Sequence, residues 1–321
     1  MLVLIDMKRA VISITEVCNL KCLHCYNGYK RANIVADYFN EDFVQQLLST
    51  GIQQIVISGG EPTIKWDLLL SILKTINNRL AVVITSNGIT LSREKIYTLM
   101  RYNVSKLQIS IDGASADTHD YLRGPGSYQK AYEMVKAFPS FITPMFTIHA
   151  KNYHEIEPFI EQQIANGIKK IGFERYVPIN TNYENKNLIL SKEQLCVAFD
   201  SISKYHGIEF HINDPLYNTY LLMKNQIPID ILQELCCNLG CQALHNNIYI
   251  DAKGDVYACV FSKEKLFNVH SAPLSDCNSK TNPMQSECLK CEYYKVCKGC
   301  RAAALYQAGD WLKKDPLCPL Q

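Results

Sequence analysis

Nearly continuous apolar runs alternate with amphipathic segments along the first two-thirds of the chain. Unbroken apolar runs are typical of strands buried in a parallel sheet, and the segments between them have helical spacing. We expect strands at 10–15, 55–58, 80–86, 106–112, 141–149 and 168–177. We expect helices at 40–51, 66–76, 92–102, 127–138, 153–166 and 191–205. Six such units predict an α/β fold, a partial (βα)6 TIM-like barrel.

Polar residues at the helix starts support this reading. Asn40 and Ser92 each precede a helical pattern, and both residue types favour the N-cap position. Ser191 and Gln194 fit a capping box. Gly51 is placed to end the first helix.

The pattern changes after about residue 210. The segment 246–260 predicts two strands around the turn Lys253-Gly254-Asp255. The remainder is rich in loops and cysteine and poor in apolar runs, so metal crosslinks are expected to order it. We therefore divide the chain into a barrel, 1–210, and a small cysteine-rich α+β domain with a β-hairpin, 211–321.

Charge and hydropathy exclude several classes of function. The net charge of +2 over 321 residues gives no strong attraction to nucleic acid or to an anionic membrane. The apolar start, Met1–Ile5, is interrupted at Asp6 and is too short for a signal sequence or a membrane span. We expect a cytoplasmic protein with no nucleic-acid or membrane partner.

The cysteine count changes this picture. Fourteen cysteines are many for a chain in a reducing compartment, where clustered thiols are more often metal ligands or catalytic groups than disulfides. Three cysteines lie near the start, Cys196 stands alone, and ten follow residue 235. Two separate cysteine centres are therefore predicted.

The first centre reads Cys18-x3-Cys22-x2-Cys25 and directly follows the first strand. Three thiolates can hold three irons of a four-iron cluster and leave the fourth iron open. Spacing alone also permits a zinc site with His24 as the fourth ligand. Three further polar motifs end the next three strands: SGGEP at 58–62, TSNG at 85–88 and SIDG at 110–113. In such folds, active sites lie at the carboxyl ends of the strands.

The cysteine motif together with GGEP resembles the radical S-adenosylmethionine (radical SAM) enzymes over residues 10 to about 206. The resemblance implies a 4Fe–4S cluster on Cys18, Cys22 and Cys25, with its open iron chelated by the methionine part of SAM. The implied cofactor-binding residues are Gly59, Gly60 and Glu61 at the methionine amine, Ser110 and Arg123 at the carboxylate, Ser86 and Asn87 on the ribose side, and Tyr26. Taken singly, each would be an ordinary turn former or surface charge.

The second centre resembles the SPASM extension that follows the barrel in some radical SAM enzymes, although the Cys297–Cys300 gap is one residue shorter than usual. The resemblance implies two auxiliary 4Fe–4S clusters, making three clusters in all. One would use Cys241, Cys259, Cys300 and a thiol from Cys236 or Cys237; the other would use Cys288, Cys291, Cys297 and Cys318. Spacing alone leaves two zinc ribbons open.

Three thiols remain outside these clusters. Cys196 lies beside an apolar helical stripe and is expected in the core, whereas Cys277 lies in a polar loop and is expected to be exposed. The spare thiol of Cys236 or Cys237 is a candidate catalytic hydrogen donor to a substrate radical.

The resemblance implies reductive cleavage of SAM to a 5′-deoxyadenosyl radical that abstracts hydrogen from a substrate. The leading hypothesis is a ribosomally made peptide, receiving a thioether or C–C crosslink or an epimerised centre, as in peptide-modifying maturases. The alternatives are a small molecule such as a haem precursor or sugar, or a non-catalytic metal-binding or electron-carrier protein. Val260 follows the hairpin cysteine where the sulfatase-maturing branch has an aspartate, which counts against that branch.

Two protein partners are also implied. Reductive cleavage needs an external electron donor of the flavodoxin or ferredoxin type. Because the first strand begins by residue 10, a separate leader-binding protein is expected if the substrate is a leader peptide.

Overall fold

A computed structural model describes residues 9–28, 32–179, 183–225, 240–280 and 286–320. Cys236 and Cys237, proposed above as ligand and hydrogen donor, lie outside the described residues.

Ten strands form one open sheet in the order β10-β9-β8-β1-β2-β3-β4-β5-β6-β7. Strands β1 to β7 are all parallel. The strands are β1 Arg9–Ser13, β2 Gln54–Ser58, β3 Ala81–Ser86, β4 Val104–Ser110, β5 Ile142–Ile148, β6 Lys170–Arg175, β7 Glu209–Ile212, β8 Asn247–Ile250, β9 Asp255–Tyr257 and β10 Lys265–Asn268.

Helices connect the parallel strands and continue into the C-terminal part. They are α1 Glu41–Ser49, α2 Trp66–Ile76, α3 Arg93–Arg101, α4 Ala116–Arg123, α5 Ser127–Ala137, α6 Ile156–Ala165, α7 Lys192–Ser203, α8 Leu216–Asn225, α9 Tyr294–Cys297 and α10 Arg301–Ala308. Short 3-10 helices span Pro62–Ile64, Tyr153–Glu155, Tyr183–Leu188, Leu274–Lys280 and Glu287–Lys290. Within the described ranges, no helix is both long and apolar enough to cross a bilayer.

The α/β class and the parallel sheet are confirmed, and so are the helix starts. Asn40 accepts a hydrogen bond from the Phe43 N–H at 3.0 Å, and Ser92 caps α3 through the Lys95 N–H. The capping box of Ser191 with Gln194 is present. A seventh parallel strand, β7, extends the six expected ones; its sequence EFHI is short and half polar, which hid it from a search for apolar runs.

The two faces of the sheet differ in polarity. Residues paired in register share a face, so Ile12, Ile57 and Ile84 lie together on one side, and all three are fully buried. Phe146 and Phe173 continue that side, and both rings pack against Phe159 of α6. This face is the apolar core against the helices.

The opposite face carries hydrogen-bonding groups. In register it presents Ser13 beside Ser58, and further along Thr147 beside Glu174. The Thr147 hydroxyl donates to the Glu174 carboxylate at 3.3 Å. Strands that looked continuously apolar in sequence thus have one apolar face and one mixed face, which suits a chamber for a polar ligand.

The C-terminal part joins the same sheet. Strand β8 pairs in parallel with β1, with Ile12 opposite Ile250, and β9 returns antiparallel to β8. The predicted hairpin is therefore confirmed. The division into two domains at residue 210 stays a prediction. Strands from both sides of that boundary belong to the same sheet.

A buried ion-pair triad ties the C-terminal segment to the parallel sheet. Arg175, at the end of β6, donates to both carboxylate oxygens of Asp315 at 2.6 and 3.2 Å. Its Nε lies 3.0 Å from Asp214 Oδ2, and all three side chains are at most 3% exposed. Asp315 in turn accepts the Cys318 N–H on its carbonyl oxygen at 2.9 Å. Arg175 thereby positions Cys318.

We expect Arg175→Gln to destabilise the protein strongly, because it leaves two buried carboxylates without their cation. Breaking a buried ion pair costs about 3–5 kcal/mol. The matched control is Arg79→Gln, since Arg79 pairs with Glu41 on the surface, where little or no shift is expected. The measurement is the urea midpoint of unfolding. Equal midpoints for the two variants would contradict the role of the triad.

Candidate functional site

The loop with Cys18, Cys22 and Cys25 leaves the carboxyl end of β1 and is held against the end of β2. The Gly60 N–H donates to the Thr15 carbonyl at 2.7 Å, and the Glu61 N–H donates to the Val17 carbonyl at 2.8 Å. These two backbone bonds fix the start of the cysteine loop beside the GGEP motif.

Only glycine permits this approach. A Cβ at Gly60 would lie 2.2 Å from the Val17 carbonyl oxygen. A Cβ at Gly59 would lie 2.5 Å from the Thr15 carbonyl oxygen, and the φ of Gly59 is +149°. The glycine pair was expected to make room for a ligand, and the close contact that the structure describes is with the chain's own cysteine loop. Contact of Gly59 and Gly60 with SAM stays a prediction.

The Glu61 side chain joins the ends of β2 and β3. It is 1% exposed and accepts hydrogen bonds from the Ser86 hydroxyl at 2.8 Å and the Asn87 N–H at 2.7 Å. Burial raises the pKa of Glu61, and these donors oppose that rise. Asn87 also donates through its side chain to Asn19 Oδ1 at 2.8 Å, which ties β3 to the cysteine loop. Glu61, Ser86 and Asn87 are thus brought together as one network.

The three thiols of the first centre interact electrostatically. Burial raises the pKa of Cys22 to about 12; Arg123 opposes this rise, whereas Cys25 and Cys18 add to it. Thiols in such surroundings stay protonated unless a cationic group supplies positive charge. Cys22 lies close enough to Cys18 and Cys25 for these thiols to affect its pKa, and three neighbouring thiols form a donor set that fits an iron–sulfur cluster.

Arg123 is paired within the protein. Its Nε donates to Asp112 Oδ2, and the Asp112 side chain is fully buried. Asp112 also accepts the Thr147 N–H at 2.8 Å. Burial alone would raise the pKa of Asp112, but Arg123 and the nearby histidines hold it below its usual value. Ser110 was predicted, together with Arg123, to contact the SAM carboxylate. It lies two residues before Asp112 and is 9% exposed.

Three histidines surround this ion pair: His119 and His149 are fully buried, and the His24 side chain is 11% exposed. His24 Nε2 lies 3.8 Å from Asp112 Oδ2, and His119 Nδ1 accepts the Asp112 N–H at 3.1 Å. Burial lowers the pKa of His24 to about 3, and those of His119 and His149 to about 4. All three are therefore neutral near pH 7. One ring nitrogen of each finds no hydrogen-bond partner among the described residues.

Tyr26 connects the first centre to the C-terminal hairpin. Its ring meets Tyr249 of β8 and Phe261 edge to face, at centroid distances of 6.4 and 6.3 Å. Burial raises the pKa of its hydroxyl to about 12. The aromatic contacts place the cysteine loop beside the strands that lead into the second centre.

The second centre contains a cavity lined by four thiols. They belong to Cys288, Cys291, Cys297 and Cys318, the set assigned above to one auxiliary cluster. Lys298 and Lys314 also line the cavity. Four convergent thiols fit a cluster with four cysteine ligands.

The other auxiliary set is also brought together. Burial raises the pKa of Cys259 to about 12, and Cys241 adds to the rise. Burial also raises the pKa of Cys300; the charge of Arg175 opposes this rise, whereas Cys241 adds to it. Cys300 sits at the N-cap of α10, where its sulfur accepts the Ala303 N–H. Iron ligation by these residues stays a prediction.

In the part of the chain that the structure describes, no three histidine, cysteine, aspartate or glutamate side chains lie close enough together to hold a single metal ion. A four-iron cluster is larger than one ion and spreads its ligands further apart.

Two expectations about the remaining thiols are wrong. Cys277 is 1% exposed and belongs to the core, because its 3-10 helix packs on α1. Cys196 is only half-buried: Leu195, Phe199 and Ile202 form the buried stripe of α7, and Cys196 is rotated away from it.

Sequence reasoning missed several residues of this site. SIDG was noted at the end of β4, but Asp112 was given no role; a carboxylate at a strand end could have suggested one. His119, His149 and Glu174 carry no motif signal. The helix α4 that presents Arg123 was not predicted, because its sequence ADTHDYLR is mostly polar.

Residues 12–162 match the family model of the radical SAM superfamily. This range includes the first cysteine centre, the GGEP motif and Arg123. The chain therefore carries a radical SAM domain.

Relatives and solved structures extend the comparison. The AdoMet-dependent heme synthase of Methanosarcina barkeri is 26% identical over 95% of this chain and 94% of its own length. The mycofactocin maturase MftC of Mycolicibacterium smegmatis is 29% identical over 42% of this chain and 34% of its own length. The crystal structure of Streptococcus suis SuiB bound to its precursor peptide SuiA has a TM-score of 0.78 at 19% identity, covering 97% of this chain and 76% of that one. The chain thus shares the fold of SuiB over nearly all of its length.

We expect Gly60→Ala to disrupt the first centre, because its methyl group would strike the Val17 carbonyl and push the cysteine loop away from β2. Overpacking of this kind costs about 1–3 kcal/mol. The control is Gly309→Ala, where φ is +77° but no atom lies within 4 Å of the added Cβ. After anaerobic reconstitution, the iron content and the cluster signal in electron paramagnetic resonance (EPR) should fall for Gly60→Ala and not for Gly309→Ala. Equal iron in both variants would show that the close contact is unimportant for the site.

Proposed function

We propose that this radical SAM enzyme holds a 4Fe–4S cluster on Cys18, Cys22 and Cys25 and cleaves SAM there by one-electron reduction. The cluster would supply one electron to bound SAM, whose sulfonium carbon–sulfur bond would break to give methionine and a 5′-deoxyadenosyl radical able to abstract hydrogen from the substrate. The observation that carries the proposal is the set of three interacting thiols, fixed at the carboxyl end of the parallel sheet beside Glu61 and Arg123.

The chain's own residues orient the reactants and exclude water. Arg123 pairs with Asp112, and its positive charge also opposes the rise in the pKa of Cys22. The SAM carboxylate is proposed to bind Arg123 as a second anion beside Asp112. Glu61 holds Ser86 and Asn87 in place, on the side where the ribose is expected. Ser110 and Tyr26 complete the proposed SAM site.

The C-terminal cysteines are proposed to hold two auxiliary 4Fe–4S clusters. The four-thiol cavity supports one of them, and the electrostatic coupling of Cys241 with Cys259 and Cys300 supports the other. The fourth ligand of the latter is proposed to come from Cys236 or Cys237, and the spare thiol of that pair remains the candidate hydrogen donor.

A peptide is the first candidate substrate. The fold matches that of SuiB, which was solved with its precursor peptide SuiA, and the mycofactocin maturase MftC matches part of the sequence. Under this proposal the enzyme crosslinks or epimerises a ribosomally made peptide.

A tetrapyrrole is the second candidate substrate. Among the relatives described above, the one that matches from end to end is named as a heme synthase. A tetrapyrrole with several carboxylates needs cationic partners. Arg123 could be one of them, but Asp112 already pairs with it and Glu174 adds a further acidic group nearby.

The proposal predicts that anaerobically reconstituted protein contains about twelve irons and forms 5′-deoxyadenosine from SAM with dithionite. Cys22→Ala should abolish that product. Cys196→Ala should keep both iron and activity, because Cys196 is a half-buried residue of α7 outside both cysteine centres. Iron counts for Cys236→Ala and Cys237→Ala should differ, because only one of these thiols is a ligand. Zinc with little iron, or no 5′-deoxyadenosine from the wild type, would contradict the proposal.

The same assay separates the two substrate classes. A candidate precursor peptide and an iron porphyrin carrying propionates are each added to the reconstituted enzyme, and the product is analysed by mass spectrometry. Loss of two hydrogens or deuterium uptake from solvent by the peptide favours the first class. Loss of carbon dioxide from the porphyrin favours the second.

A further inference from the structure

The surface over the four-thiol cavity combines exposed apolar residues with lysines. We call this surface the docking patch, and define it as Leu289, Lys290, Lys295, Leu312 and Lys313. Leu289 and Leu312 are 40% and 38% exposed. The other large apolar side chains with comparable exposure in the described chain lie singly on α3, α4, α6 and α7. Leu289 and Leu312 lie on two segments that a backbone hydrogen bond joins, so two exposed leucines share this surface.

Hydrogen bonds hold the two halves of the docking patch together. The Glu287 N–H donates to the Leu312 carbonyl at 2.8 Å, and the Lys314 N–H donates to the Glu287 carboxylate at 3.2 Å. Arg301 donates to the carbonyls of Trp311 and Lys313 at 2.7 and 2.8 Å. The segments 287–290 and 311–314 thus form one ordered surface.

The docking patch is connected directly to the thiols. Arg301 also donates to the Cys288 sulfur at 3.1 Å, so one side chain links the surface segment 311–313 to a cavity thiol. Lys314 follows the docking patch in sequence and lines the cavity. Tyr294 and Cys297, on either side of Lys295 in α9, line it too. A group held by these thiols would lie just beneath the docking patch.

The exposed charges around the docking patch are mainly positive. Lys290, Lys295, Lys313 and Lys314 are exposed here, against the exposed carboxylates of Glu287 and Glu292. The chain as a whole is nearly balanced, at +2. A small apolar centre with a lysine rim complements a partner that has a small apolar area and an acidic rim.

We propose that the docking patch binds an acidic one-electron carrier protein and is the place where electrons enter. The inference rests on the proposed function, because reductive cleavage of SAM consumes one electron for each event. In the transfer the carrier is oxidised by one electron and the thiolate-bound iron–sulfur group is reduced by one. No bond forms or breaks and no proton moves.

The test is a charge reversal at the docking patch with a matched control. The variant is Lys290→Glu/Lys295→Glu/Lys313→Glu. The control is Lys130→Glu/Lys136→Glu/Lys169→Glu, which changes the net charge equally at three exposed lysines on α5 and just before β6. Reduced flavodoxin, a strongly acidic carrier, serves as the probe with the reconstituted holoenzyme. Its dissociation constant and its rate of cluster reduction are measured at low and at physiological salt.

We expect the docking-patch variant to bind flavodoxin and accept its electrons about tenfold or more worse than wild type at low salt. The control should stay within about twofold, and wild-type binding should weaken as salt rises. Leu289→Ser/Leu312→Ser should weaken binding with little change in its salt dependence. With dithionite, both charge variants should form 5′-deoxyadenosine as the wild type does.

Two results would overturn the proposal. One is an equal loss of flavodoxin affinity in the docking-patch variant and the control. The other is docking-patch-dependent binding of the substrate or of a second copy of the chain, with flavodoxin reduction unchanged. Failure of the proposed function looks different, since the wild type would then form no 5′-deoxyadenosine even with dithionite.

Discussion

The close contact between the segment after β1 and the segment after β2 is the constraint on which the site depends. Two backbone hydrogen bonds join Thr15 and Val17 to Gly60 and Glu61, and any side chain at Gly60 would collide with Val17. Because the cysteine loop begins at that point, the contact decides where its three thiols lie. Glu61 then extends the contact to β3 through Ser86 and Asn87.

A few specific contacts also join the two cysteine centres. Tyr26 of the first centre packs on Tyr249 and Phe261 of the C-terminal part. Arg175 of β6 binds Asp315, and so positions the segment that carries Cys318. The parallel sheet continues through β1 into β8, so the C-terminal cysteines are built onto the sheet that carries the first centre. The two cysteine centres are therefore held in one fixed arrangement.

Much of the fold followed from sequence because its signals are local. Apolar runs gave the buried strands, and side chains such as Asn40 and Ser191 gave the helix starts. Strand β7 and helix α4 were missed because their sequences are polar or short, and tertiary contacts decide them. The site could be predicted only in part from sequence. Cysteine spacing and GGEP indicate the donor set. The Asp112–Arg123 pair and its neutral histidines come from distant elements, and no rule of sequence spacing brings those together.

The central claim is that SAM binds directly to an open iron held by Cys18, Cys22 and Cys25. The most direct test is electron–nuclear double resonance on the reduced reconstituted protein, with SAM labelled by ¹⁵N at its amine. The account predicts a hyperfine coupling strong enough to require an iron–nitrogen bond, which is lost when Arg123→Gln prevents the carboxylate from docking. A cluster signal without ¹⁵N coupling in the wild type would contradict it.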